Sequence, residues 1–94
     1  MAILRIEHAV QDFDAWKQMF DNDPLGRRES GVERYRILRS VDDASYVMID
    51  LEFGSVDEAQ RLLDKLQEVW AGPGRAVMIN PKARIVETFE DVTL

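Results

Sequence analysis

The sequence contains no cysteine. Disulfides and thiolate-held metal sites are excluded, so the fold must rest on packing and hydrogen bonds. Histidine occurs once, at His8. No cluster of imidazoles exists to hold a metal, and no Ser/His/Asp or His/Cys spacing marks a nucleophilic or zinc site. The 5 glycines are scattered, and none forms a phosphate-cradling loop. No apolar run is long enough to span a bilayer, and no signal-peptide pattern is visible. Neither membrane nor export is therefore expected, and a cytoplasmic location is the default. Basic charge is also scarce, with 12 Lys+Arg against 18 Asp+Glu and a net charge of −6. Such a field repels a phosphate backbone, and the Arg27–Arg28 pair is too short to offset it. Nucleic acid is not an expected partner, and neither a metal nor a cofactor is called for.

What is present is patterned. The 94 residues are 46% hydrophobic, enough for one domain spanning 1–94. A chain of this size keeps a large surface, and association is a common way to gain stability. Ala2 to Val10 alternates as a strand, with Leu4, Ile6, His8 and Val10 on one face and Ile3, Arg5, Glu7 and Ala9 on the other. Asp12 is an N-cap signal, and Asp14 suits the positive end of the helix dipole. Phe13, Trp16 and Phe20, with Met19 beside them, form an aromatic helical stripe that runs to about Asn22. Pro24 and Gly26 end it.

Val32 to Ser40 and Ser45 to Phe53 read as a hairpin around Val41-Asp42-Asp43-Ala44. Ser55-Val56-Asp57-Glu58 is a capping box, with hydroxyl and carboxylate each expected on a free backbone N–H. Ala59, Leu62, Leu63, Leu66, Val69 and Trp70 then give a second helical stripe, broken by Gly72-Pro73-Gly74. Residues Arg75 to Pro81 read as irregular or briefly extended, and Lys82 to Glu90 as a fourth strand. The order is βαββαβ. Such an order is α+β and ferredoxin-like, with two helices on one face of a four-stranded antiparallel sheet.

The hairpin register says what the other face carries. Placing Arg36 opposite Asp50 sets Arg34 opposite Glu52, Leu38 opposite Met48 and Ser40 opposite Tyr46. Opposite charges meet twice, at roughly 0.2–1 kcal/mol per pair. A slip of one residue would drive Arg34 and Arg36 into the apolar side, so it is rejected. The uncovered face then holds Arg5, Glu7, Arg34, Arg36, Leu38, Tyr46, Met48, Asp50 and Glu52, joined by Arg84, Val86 and Thr88 if strand 4 follows suit. Charged groups mix there with large apolar ones, which suits a partner sheet better than water.

With that order and length, Asp12-Phe13-Asp14-Ala15-Trp16-Lys17 after strand 1, and Leu51-Glu52-Phe53 followed by Ser55 and an acidic helix, the chain resembles the dimeric α+β barrel superfamily. Its best-known branch is the antibiotic-biosynthesis-monooxygenase-like proteins. The resemblance implies two sheets packed face to face as a homodimer, often with strand 4 or the C-terminus reaching the partner. It places Arg34, Arg36, Leu38, Tyr46, Met48, Asp50 and Glu52 at the dimer face. Members that oxidise electron-rich aromatics do so without a cofactor. Haem-degrading members use a histidine near helix 2, which this chain lacks.

Each candidate for chemistry has a structural reading beside it. His8 is the one side chain that titrates near neutrality unperturbed, yet it shares the face of Leu4 and Ile6 and reads first as a core or rim residue. Asp50 and Glu52 project to one side, but neighbouring arginines depress carboxylate pKa values, the wrong direction for a base near pH 7. Trp16, Phe20 and Trp70 read first as core. Arg27, Arg28 and Arg75 read first as surface or dimer contacts, second as holders of an anion. Two functions follow. One is a dimer binding a small aromatic or polyketide-like compound near His8, Trp16, Tyr35 and Trp70, as a cofactor-free monooxygenase or isomerase. The other is a non-catalytic structural or accessory dimer.

Overall fold

A computed structural model describes residues 1–23, 25–72 and 78–94. The elements are β1 (Ala2–Ala9), α1 (Phe13–Asp21), β2 (Val32–Arg39), β3 (Tyr46–Phe53), α2 (Val56–Ala71) and β4 (Ile79–Glu87). The strands form one antiparallel sheet in the order β2-β3-β1-β4. The expected ferredoxin-like arrangement is present. The breaks expected at Pro24 and Pro73-Gly74, together with Arg75, lie outside the described residues.

Both helices cover the same face. Trp16 of α1 and Ala59, Leu62 and Leu63 of α2 are buried in one cluster with Leu4, Ile6, Val47, Ile49, Leu51 and Phe53 of the central strands. A fully buried aliphatic side chain contributes about 1.5–3 kcal/mol, so this layer holds the fold together. The alternation of β3 is the reason it forms here. Its odd-numbered apolar residues face the helices while Met48 and Glu52 remain partly exposed.

Local signals behave as physical chemistry dictates. The Asp12 carboxylate accepts from the Asp14 and Ala15 N–H groups at the start of α1. The Ser55 hydroxyl caps α2 by accepting from Glu58 N–H. One expectation is corrected: the Glu58 carboxylate takes the Ser55 hydroxyl hydrogen at 3.0 Å rather than a backbone N–H, so the box closes between side chains. Gly31, at φ +100°, turns the chain into β2 in a conformation that L side chains resist.

Two strands depart from strict alternation. Val32 lies opposite Phe53 and Arg34 opposite Glu52, so Glu33 is an extra residue in β2. The bulge lets Val32 and Tyr35 point the same way although their numbers differ in parity. In β4 the extra residue falls at Asn80-Pro81, because Glu7 pairs with Lys82 but Ala9 with Ile79. Asn80 adopts φ +51° there. The fourth strand therefore begins at Ile79 rather than Lys82, and it ends at Glu87 rather than Glu90. β4 lies at the sheet edge, where a bulge and a proline are tolerated and pairing continues past them.

Candidate functional site

His8 lies on the helix-covered face of β1, opposite the β4 bulge. It is 1% exposed. Its Nδ1 stands 3.1 Å from the Ala9 carbonyl. A carbonyl only accepts, so Nδ1 carries the hydrogen and Nε2 keeps its lone pair. Burial holds the His8 pKa below its ordinary 6.5, against a smaller opposing effect of the Ala9 hydrogen bond. The ring is neutral at pH 7.

The Trp16 ring meets His8 edge-on at 5.5 Å and continues to Phe13 at 5.8 Å and Phe20 at 5.3 Å. Helical spacing makes this stack, since residues three and four apart share a face. On the far side, the Trp70 indole N–H donates to Met78 Sδ at 2.9 Å. Between these groups lies a cavity of about 90 Å³, lined by Ile6, Ile49, Leu51 and Leu62 as well as His8, Trp16, Trp70 and Met78. The sheet forms its floor. Its half-exposed lining residues come from the end of α1 and the following loop, and from Leu66, Val69 and Trp70 of α2. The mouth lies there.

Arg27 stands at that mouth. Its Nη1 donates to the Phe20 carbonyl at 2.7 Å and lies 3.4 Å from the Asp23 carboxylate. The guanidinium also stacks over the Phe20 ring at 3.9 Å and near Tyr35 at 5.0 Å. Each contact fixes a flat cation that would otherwise sample many rotamers. Arg28 is exposed and takes no part.

His8, Trp16 and Trp70 are thus brought together by the structure. Tyr35 is not among the lining residues. It stands one layer out, edge-on to Phe20 at 5.2 Å, because its edge strand β2 sits beyond β3 rather than beneath the cavity. Sequence reasoning overlooked Met78 and gave Arg27 second place. Met78 lies within a stretch that reads as irregular, and Arg27 gains meaning only from the Phe20 carbonyl and ring it folds against.

The uncovered face is different in kind. The hairpin register is as expected, with Arg34 opposite Glu52, Arg36 opposite Asp50 and Leu38 opposite Met48. Arg36 reaches Asp50 at 3.2 Å and Arg34 reaches Glu52 at 3.6 Å. A third arginine was not anticipated as a partner. Arg5 grips Asp50 with two bonds, of 2.9 and 3.0 Å. Asp50 is consequently only 2% exposed on a face that no helix covers. Arg5 first, then Arg36, holds its pKa below the ordinary value, overcoming the upward push of burial. Tyr46 donates its hydroxyl hydrogen to Glu7 at 2.8 Å, which raises the phenol pKa. Asp50, held ionised by its arginines, is not poised as a base near pH 7. Among the described residues, no group of three or more His, Cys, Asp or Glu could hold a metal ion.

No protein-family model matches this sequence, and no curated protein sequence does. Solved structures do match. SnoaB, a cofactor-independent oxygenase from Streptomyces nogalater, is similar at a TM-score of 0.76 over 97% of this chain and 95% of its own, with 15% identity. A Deinococcus radiodurans protein provisionally assigned to the antibiotic biosynthesis monooxygenases reaches 0.74 over 100% and 98%, with 11% identity. NE2512 of Nitrosomonas europaea, of unknown function, reaches 0.70 over 99% and 93%, with 15% identity. The chain has the antibiotic-biosynthesis-monooxygenase-like fold. Within that fold, the cavity with His8 lies between sheet and helices, and the Asp50 ladder lies on the opposite face. Among the described residues, no helix is long and apolar enough to cross a membrane.

Proposed function

We propose that this protein is a homodimer that binds a small aromatic compound in the His8 cavity and oxidises it with molecular oxygen, without a cofactor. The observation that carries the reading is the cavity itself. It is apolar, it holds the chain's one histidine as a neutral ring, and two tryptophans wall it. A pocket of that kind is the usual place for a small apolar ligand with one fixed polar contact. The likeness to a cofactor-independent oxygenase supports the choice of reaction.

The dimer rests on the uncovered face. Among the described residues, Leu38 is 41% exposed there, and Phe89, just beyond β4, is 99% exposed. Val92 and Leu94 are exposed with it. The face carries Arg5, Arg34, Arg36, Lys82 and Arg84 against Glu7, Asp50 and Glu52, so it is positive within a chain of net charge −6. A second copy's tail, with Glu90 and Asp91 between its apolar residues, has the charge and apolarity to lie on it.

Thermal unfolding and oxygen uptake across a panel of one- to three-ring aromatic compounds test the activity. A ligand at ten times its Kd stabilises by about 1.4 kcal/mol, which raises Tm by roughly 5–10 °C in a domain of this size. At least one stabilising compound should be consumed with oxygen uptake in the absence of added flavin or metal. Stabilisation without uptake reduces the protein to a binding module, and no response at all leaves a non-catalytic dimer. Sedimentation tests the assembly. Wild type should sediment as a dimer at micromolar concentration. Met48→Asp should release monomers, because an unpaired carboxylate would enter the interface. A monomeric wild type overturns the dimer.

A further inference from the structure

The two helices that wall the cavity are not held alike. α2 runs for 16 residues, packs on β1, β3 and β4, and buries Ala59, Leu62 and Leu63. α1 runs for 9 residues and buries Trp16. A helix that short depends on tertiary contacts for its stability. Trp16, Met19 and Phe20 of α1 line one side of the cavity, and Leu62, Leu66, Val69 and Trp70 of α2 line the other.

The end of α1 is weak by itself. Its last turn has no basic residue, and Asp21 and Asp23 put carboxylates at the negative end of the helix dipole. The cation that offsets them comes from beyond the helix. Arg27 Nη1 donates to the Phe20 carbonyl of the last turn at 2.7 Å, and the guanidinium lies on the Phe20 ring at 3.9 Å. At the other end, Arg39 lies over the Phe13 ring at 4.6 Å. Arg27 precedes the edge strand β2 and Arg39 ends it, so α1 is clamped from the sheet edge by side chains. Between the helix and Arg27, Asp23 and Gly26 adopt left-handed φ values of 52° and 62°. A few such residues at the end of an element are where a hinge absorbs its change of direction. At about 90 Å³ the cavity is smaller than the about 150 Å³ apolar space that takes benzene, so a ring enters only if a wall moves. We infer that α1 is a lid over the cavity, hinged at Asp23 and Gly26 and latched by Arg27. When it opens, Trp16, Met19 and Phe20 leave with it and Ile49 and Leu51 on the sheet floor are uncovered, while α2 stays in place.

The lid serves the cavity reading proposed above, but its test uses no ligand, so either can fail without the other. Native-state hydrogen exchange of the full chain reads it directly. The α1 amides from Trp16 to Asp21 should exchange as one unit, about tenfold or more faster than the α2 amides from Leu62 to Leu66. Arg27→Gln should speed the α1 amides about tenfold further and leave those of α2 unchanged. Arg27→Lys, which keeps the charge but loses the flat fork and the ring stacking, should fall between. α1 amides as well protected as those of α2 overturn the lid. Protection that declines residue by residue toward the helix ends is fraying, and overturns it too. Equal acceleration of both helices by Arg27→Gln overturns the latch. The lack of native cysteine allows a second reading. Ile49 lines the cavity and is 3% exposed. The thiol of Ile49→Cys should react with an aromatic disulfide reagent at a rate nearly independent of low urea, because lid opening exposes little surface. Adding Arg27→Gln should raise that rate about tenfold. A rate that climbs with urea as steeply as global unfolding overturns the lid. The wild-type exchange pattern decides the matter even where a variant fails to fold.

Discussion

The two faces of one sheet solve opposite problems. The helix-covered face buries Leu4, Val47, Phe53 and Trp16 and closes around an apolar cavity. The other face buries a carboxylate, Asp50, and does so without a helix, by laying Arg5 and Arg36 across it. Alternating residues of the same strand supply both. Leu51 faces the helices while Asp50 beside it anchors the arginines. Stability should therefore reside on the first face and assembly on the second. The first face closes on an apolar space beside His8, whereas the second carries charges that pair with one another.

That division can be broken by experiment. Trp16→Ala should have the largest effect. It empties a 2%-exposed site that touches His8, Phe13 and Phe20, and should cost about 3–5 kcal/mol in chemical denaturation. A loss under 1 kcal/mol would mean that the helix-covered face does not carry the fold.

Asp50→Asn comes next, at about 1–3 kcal/mol, because it removes a charge-assisted partner from two arginines that remain half exposed to water. Its signature is in pH. The Asp50 pKa is depressed in the folded state, so its stabilisation is complete above the unfolded value of 3.8 and is lost as pH falls through the folded value. Wild-type stability should drop below pH 3.8 more steeply than that of the Asn variant. Parallel curves would show that Asp50 is not held as an ionised carboxylate.

Tyr46→Phe should be the mildest, at about 0.5–1.5 kcal/mol, since it deletes one hydrogen bond to Glu7 and leaves the ring in place. A cost as large as that of Trp16→Ala would erase the contrast between the faces.

The fold was legible because its signals are local. Asp12 and Ser55 cap the helices where spacing placed them, and the alternation of β3 admits only one hairpin register. The site was half legible. His8, Trp16 and Trp70 declared themselves as the rare residue types on the apolar stripes. Arg5 at Asp50 did not, because the two residues are 45 positions apart along the chain and nothing local states the register of β1 against β3. The start of β4 was missed for a related reason: the bulge at Asn80-Pro81 hides a paired edge strand behind a proline.

By itself, then, the sequence determined the element order, the two caps and the parity that sends His8 to the helices and Asp50 away from them. These depend on periodicity and on contacts within a few residues. The tertiary structure alone decided that His8 borders a space rather than filling one, that its Nδ1 is spent on Ala9, and that Arg27 closes over Phe20 with Asp23 beside it. A cavity is the volume left after distant side chains have packed, and no local pattern in the chain records how much they leave.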